Sequence, residues 1–160
     1  MKRSLVLLAL TVLIFTTKTN AQSMGHTYRT ALGIKFWDGA GVSIKHFLQE
    51  NRSIEGVGFF WSHGARITGL YEFNWDITGA PGLKFYAGPG MHLGFYHDDY
   101  YYRDHYHSGT YVGIDGVLGL DYKINKVPIN VSIDWQPSWE FGDSGGFYGS
   151  WGGIGVRYTF

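Results

Sequence analysis

Phe147-Tyr148-Gly149-Ser150-Trp151-Gly152-Gly153-Ile154-Gly155-Val156-Arg157-Tyr158-Thr159-Phe160 closes the chain. Read as an extended strand, it puts Ile154, Val156, Tyr158 and Phe160 on one face. Gly153, Gly155, Arg157 and Thr159 fall on the other. Successive strand side chains point to opposite sides, so one face is greasy and the other small or polar. A soluble sheet rarely ends on a long strand whose apolar face includes the last residue. A strand facing lipid often does.

The same two-residue period runs back through the sequence. Ile129, Val131, Ile133 and Trp135 alternate with Asn130, Ser132, Asp134 and Gln136. Val112, Ile114, Leu118, Leu120 and Tyr122 alternate with Gly113, Asp115, Val117, Gly119 and Asp121. Leu83, Phe85, Ala87, Met91, Leu93 and Phe95 oppose Lys84, Tyr86, Gly88, Gly90, His92 and Gly94. Ile67, Gly69, Tyr71, Phe73 and Trp75 oppose Arg66, Thr68, Leu70, Glu72 and Asn74. Tyr28, Leu32, Ile34 and Phe36 oppose Arg29, Ala31, Gly33 and Lys35. Two less regular segments, near 41–48 and 53–61, are oriented by setting Lys45 and Glu55 on the polar face. No segment carries a helical stripe of period 3.6. Pro89 removes a ladder donor in mid-strand, and the pattern predicts a bulge or a bend there.

These eight segments predict an all-β chain, an eight-stranded antiparallel up-and-down transmembrane β-barrel. Strands of about ten residues suit a tilted membrane crossing. Trp37, Trp61, Phe95, Trp135 and Trp139 fall near one set of strand ends. Tyr28, Trp75, Phe85, Tyr122, Tyr158 and Phe160 fall near the other. Two such belts match the two membrane interfaces. The connections alternate as well. Outer loops fall at 38–39, 62–64, 97–107 and 138–146, and tight inner turns at 49–52, 76–82 and 123–127. A soluble β-sandwich or lipocalin-like barrel is the alternative, and it would have to turn the greasy faces inward.

The N-terminus predicts a processing segment. Lys2 and Arg3 precede an apolar run from Leu5 to Phe15, and Thr19-Asn20-Ala21 supplies small residues before a cut. The run is too short for a membrane helix and suits a cleaved signal peptide over residues 1–21. Residues 22–160 then form one barrel domain, exported and placed in the outer membrane. Cleavage removes Lys2, Arg3 and Lys18 from thirteen Lys plus Arg, leaving ten against thirteen Asp plus Glu. A weakly acidic chain is a poor partner for nucleic acid. With no cysteine, no disulfide and no lipidated N-terminal cysteine are available.

The polar faces collect Arg29, Lys35, Lys45, Arg66, Lys84 and Arg157 with Glu55, Glu72, Asp115, Asp121 and Asp134. An eight-stranded barrel is just wide enough inside for side chains to fill it. Near-balanced charges there predict a closed ion-pair network, because an isolated buried ion costs several kcal/mol or more. A narrow pore for small solutes is the alternative, and it favours a lumen of one sign.

The segment from His97 to His107 is rich in Tyr, His and Asp. As an outer loop it offers His97, Asp98, Tyr101, His105 and His107 as candidates for contact with an extracellular partner. Metal binding by the same histidines is the weaker reading, since i, i+2 spacing in a loop is poor ligand geometry. His107-Ser108 and Ser62-His63 lie near the outer rim, where a lipid-modifying serine hydrolase would act. Adjacent strand residues point opposite ways, so neither pair makes a nucleophile and base. No catalytic residue, cofactor or metal site is therefore assigned.

Arg157-Tyr158-Thr159-Phe160, the stretch from Val112 to Lys123 and the stretch from Pro128 to Pro137 carry a family resemblance. The chain resembles small outer-membrane barrels of the OmpA transmembrane-domain and OmpX type, including short porin-family barrels of the Bacteroidetes kind. The resemblance implies that Ile154, Val156, Tyr158 and Phe160 form the signal read by the barrel-assembly machinery. It also implies outer-membrane lipid and lipopolysaccharide as surroundings, and a structural or surface-contact role in the envelope. No peptidoglycan-binding domain follows the last strand, so wall tethering is not expected.

Overall fold

The structure, a computed structural model, describes residues 27–62, 64–102, 105–141 and 145–160, with the backbone alone over 96–102 and 105–108. The proposed leader, 1–21, lies outside the described residues.

Alternation of period 2 produces eight staves. They are β1 (Thr30–Trp37), β2 (Gly39–Gln49), β3 (Arg52–Trp61), β4 (Gly64–Asp76), β5 (Leu83–Tyr102) and β6 (His105–Lys123). β7 comes in two pieces, Ile129–Trp135 and Ser138–Phe141, and β8 in two, Gly146–Tyr148 and Gly152–Thr159. Each stave pairs antiparallel with its chain neighbours. β8 pairs with β1 from Ala31↔Thr159 to Phe36↔Ile154, which closes the barrel and leaves no sheet edge there. No helix occurs among the described residues.

Short turns hold the register. β1 passes to β2 through Asp38, with Trp37 opposite Gly39. Gly39 has φ +142°, and a Cβ there would sit 2.7 Å from the Phe60 carbonyl oxygen, so glycine is required. The β7 and β8 interruptions are bridged rather than open. Gly116 N–H donates to Pro137 O at 2.8 Å, and Gln136 N–H donates to Trp151 O at 2.9 Å. Proline has no N–H, so the ladder skips a step at Pro137 while the strand continues.

The ladder corrects three sequence expectations. Ser138 to Phe141 is strand, not the start of a loop. The segment 97–107 is largely strand too, since Tyr100↔His107, Tyr101↔Tyr106 and Tyr102↔His105 extend the β5–β6 hairpin beyond its neighbours. Its Asp, His and Tyr residues break the greasy alternation, but backbone pairing needs no alternation. Pro89 makes no bulge: the β5–β6 register runs unbroken from Leu83↔Tyr122 to Tyr96↔Gly109. Toward β4 the pairing lapses only between Leu70↔Gly90 and Phe73↔Ala87, and it resumes in the same register. The register shifts fall instead between Phe47 and Gln49 and between Tyr96 and Tyr100.

The polarity is inverted relative to a soluble fold. Leu32, Ile34, Phe36, Val42, Ile44, Ile67, Leu118, Ile133, Ile154 and Val156 are all exposed on the outer wall. Lys35, Lys45, Glu55, Arg66, Glu72, Asp121 and Arg157 are all buried inside. This is the polarity of a transmembrane-type barrel, where apolar residues face outward and polar ones line the interior.

Candidate functional site

The barrel interior holds the concentration of chemistry. Arg157, on β8, is its inner hub. Its Nε donates to Ser43 Oγ at 2.7 Å, Nη1 to Ser132 Oγ at 2.8 Å and Asn130 Oδ1 at 3.1 Å, and Nη2 to Glu55 Oε1 at 2.5 Å. Lys35 Nζ pairs with Asp134 Oδ2 at 2.6 Å and with Glu55 Oε1 at 3.4 Å. Lys45 Nζ pairs with Glu72 Oε2 at 2.8 Å and Asp121 Oδ2 at 3.4 Å, and lies 4.1 Å from the centre of the Tyr86 ring. Neutral donors satisfy more of the carboxylates. Ser43 donates to Glu55, Ser53 to Glu72, Tyr86 and Gln136 to Asp134, and Asn130 and Tyr28 to Asp121. Buried ions are tolerable when they are paired and hydrogen-bonded in this way.

A second cluster lies toward the outer end. Arg66 pairs with Asp115, whose other oxygen contacts His92 Nδ1 at 2.9 Å. His92 Nε2 lies 3.4 Å from Glu140 Oε1. The Arg66 guanidinium sits 4.5 Å from the Trp151 ring centre, and Trp151 meets Trp61 edge-on at 5.4 Å between centroids. Among the described residues the buried ions number six cations, six carboxylates and His92.

Of the eleven residues predicted for the network, nine join these two clusters. Arg29 does not: it is exposed at the inner rim ahead of β1. Both Arg29 N–H and Thr30 N–H point to the Phe160 carbonyl, at 3.2 and 3.4 Å, and this doubled step shifts the parity of what precedes it. Tyr28 accordingly turns into the barrel toward Asp121 and leaves the aromatic belt expected at the inner strand ends. Lys84 is a rim residue, paired at 2.7 Å with Asp76, whose side chain is 79 % exposed. Sequence reasoning left out Glu140, hidden in a segment read as loop, and Lys123, which caps the β6–β7 turn through the carbonyls of Ile124 and Val127. It set His92 and Tyr86 on the polar face without giving them a role, and continued parity past Pro137 was the available signal for Glu140.

Ile154, Val156 and Tyr158 stand on the outer wall of β8, and Phe160 follows them with its ring 5.3 Å from that of Tyr158. The side chains of His97, Asp98, Tyr101, His105 and His107 lie outside the described residues. No group of three or more His, Asp or Glu placed to hold a metal occurs among the described residues.

Fold and interior together define a class: a closed eight-stranded antiparallel β-barrel, greasy outside and ion-paired within. No family model, curated protein or solved structure matches the chain.

Proposed function

We propose that this chain is an integral outer-membrane barrel without catalytic activity, exported by its leader and contributing to the structure of the envelope. One observation carries the reading. Large apolar side chains stand exposed on every stave, while the described charged ones, all but the rim residues Arg52 and Asp76, are enclosed. In water that arrangement would expose far more contiguous greasy surface than monomeric soluble proteins carry. In a bilayer the same surface meets hydrocarbon, and closure leaves no open sheet edge between β1 and β8. Membrane lipid and lipopolysaccharide are then the surroundings of the outer wall, with the assembly machinery as a partner during biogenesis. The projecting β5–β6 hairpin offers contact to extracellular partners.

The interior supports a plug over a pore. Large side chains such as Arg66, Arg157 and Tyr86 fill it, and among the described residues its buried ions balance, six cations against six carboxylates, rather than presenting one sign. Outer-membrane fractionation with heat-modifiability on a gel tests location and closure together. The expected result is recovery with outer-membrane markers and faster migration before boiling than after. Recovery in the soluble fraction overturns the reading.

A further inference from the structure

His92 is buried on the inner face of β5 and reaches past its neighbour to a third stave. The register sets it between Thr68 of β4 and Gly113 of β6, and Gly113 stands in turn opposite Glu140 of β7. A Cβ on Gly113 would sit 2.4 Å from His92 Cε1 and 2.9 Å from Nε2. The imidazole therefore passes over that glycine, and a larger residue at 113 would hold the ring away from β7. Both ring nitrogens then face a carboxylate. Nδ1 lies 2.9 Å from Asp115 Oδ2, and Nε2 lies 3.4 Å from Glu140 Oε1. Both acids are buried with the ring.

A neutral imidazole carries one N–H and one lone pair, so either tautomer turns a lone pair toward one of these acids. The imidazolium alone donates to both. The charges around the ring agree. β4 contributes Arg66, which pairs with the other oxygen of Asp115. β8 contributes the uncharged Trp151 over Arg66, and β3 sets Phe59 and Trp61 against Trp151. On β6, half-buried Tyr111 is the next interior position outward. With a neutral ring, Arg66, Asp115 and Glu140 leave one negative charge in excess in a buried site. With an imidazolium the sum is zero, which is the state that burial favours.

From this geometry we infer that His92 is held as an imidazolium and works as a proton-dependent latch, tying the outer piece of β7 across β6 to β5. The latch goes beyond the envelope role proposed above and does not depend on it. That piece, Ser138–Phe141, follows the interruption at Pro137 and pairs with β6 only from Val112↔Phe141 to Asp115↔Ser138. A side-chain tie therefore matters where backbone pairing is short. The folded barrel binds the proton, so the tie holds while the ring is charged and is lost as pH rises through its deprotonation. The lone pair then repels Glu140, and the outer end of β7 loosens.

The test is nitrogen NMR of the purified full chain, labelled at histidine, in detergent micelles. The His92 signals are assigned by their loss in His92→Gln or by proximity of the ring Cε1 proton to the Gly113 α-protons. At neutral pH both His92 ring nitrogens are expected to be protonated. Glu140→Gln removes one acid and is expected to leave a single protonated nitrogen. Gly113→Ala displaces the ring from β7 and is expected to do the same, which keeps the test open where only one variant folds by heat-modifiability. In lipid vesicles the native urea midpoint is expected to fall as pH rises, more steeply than that of His92→Gln. A single protonated nitrogen in the native protein overturns the imidazolium. An imidazolium unchanged in a folded Glu140→Gln or Gly113→Ala variant, or the same pH dependence in His92→Gln, overturns the latch.

Discussion

Arg157 Nη2 reaches Glu55 Oε1 at 2.5 Å across 102 residues of sequence, linking the last stave to the third through the barrel interior. Both side chains are fully buried. Removing one partner of such a pair leaves an uncompensated charge and costs about 3–5 kcal/mol. Arg157→Leu and Glu55→Leu are each expected to lose that much in urea unfolding of the barrel in lipid vesicles. The double variant is expected to lose less than the two single losses combined, because neither charge is then stranded. Lys35 keeps Asp134 at 2.6 Å in that variant. Simple additivity in the cycle would show that the two groups do not interact.

Ile133 separates the membrane reading from a soluble one. It is 53 % exposed, and its direct neighbours across the staves are Leu120 and Ile154. On a lipid-facing wall near mid-bilayer, Ile133→Arg is expected to cost about 2–4 kcal/mol of unfolding free energy. On a wall facing water, a surface substitution of this kind would stay within about 0.5 kcal/mol. Unfolding measurements in vesicles decide between the two, and the smaller figure counts against a membrane location.

Most of the fold is legible in the sequence because period 2 is local and each barrel face meets one environment. Leu118 and Asp121 announce their sides without reference to any partner. What escapes reading is set by backbone geometry. The parity step at Arg29 depends on the Phe160 carbonyl, 131 residues away. Pro89 reads as a defect, yet its missing N–H costs only a local lapse of pairing with β4. The ion partners are less legible than the ions. Nothing in the sequence states that Lys35 meets Asp134 or that Lys45 meets Glu72, because stave tilt decides which interior residues share a height.

Two glycines on adjacent staves are expected to respond in opposite ways to alanine. Gly69 lies on the outer wall, and a Cβ there meets nothing within 4 Å. Gly69→Ala restricts the unfolded chain without strain and is expected to stabilise the barrel by about 0.4–1 kcal/mol. Gly90→Ala would place its Cβ 2.5 Å from Leu70 Cδ2 and 2.7 Å from the Gly69 carbonyl oxygen. Overpacking of that kind is expected to cost about 1–3 kcal/mol. Urea midpoints at unchanged m-value read both effects, and equal shifts would contradict the packing described for the β4–β5 wall.

Asp115 and Asp76 each hold a cation, and their burial predicts unequal worth. Asp115 is buried and serves Arg66 and His92 together. Asp115→Ala removes the shared acceptor and leaves a guanidinium enclosed beside Trp151, for an expected loss of about 3–5 kcal/mol. Asp76, at the inner rim, keeps its side chain 79 % in solvent while it pairs with Lys84. Exposed pairs contribute about 0–1 kcal/mol, so Asp76→Ala is expected to change little. Salt separates the two further. Screening weakens exposed charges far more than buried ones. Raising ionic strength is therefore expected to erase the Asp76→Ala difference and to leave the Asp115→Ala difference in place. Equal, salt-sensitive losses for both variants would mean that water reaches the outer ionic cluster as freely as it reaches the rim.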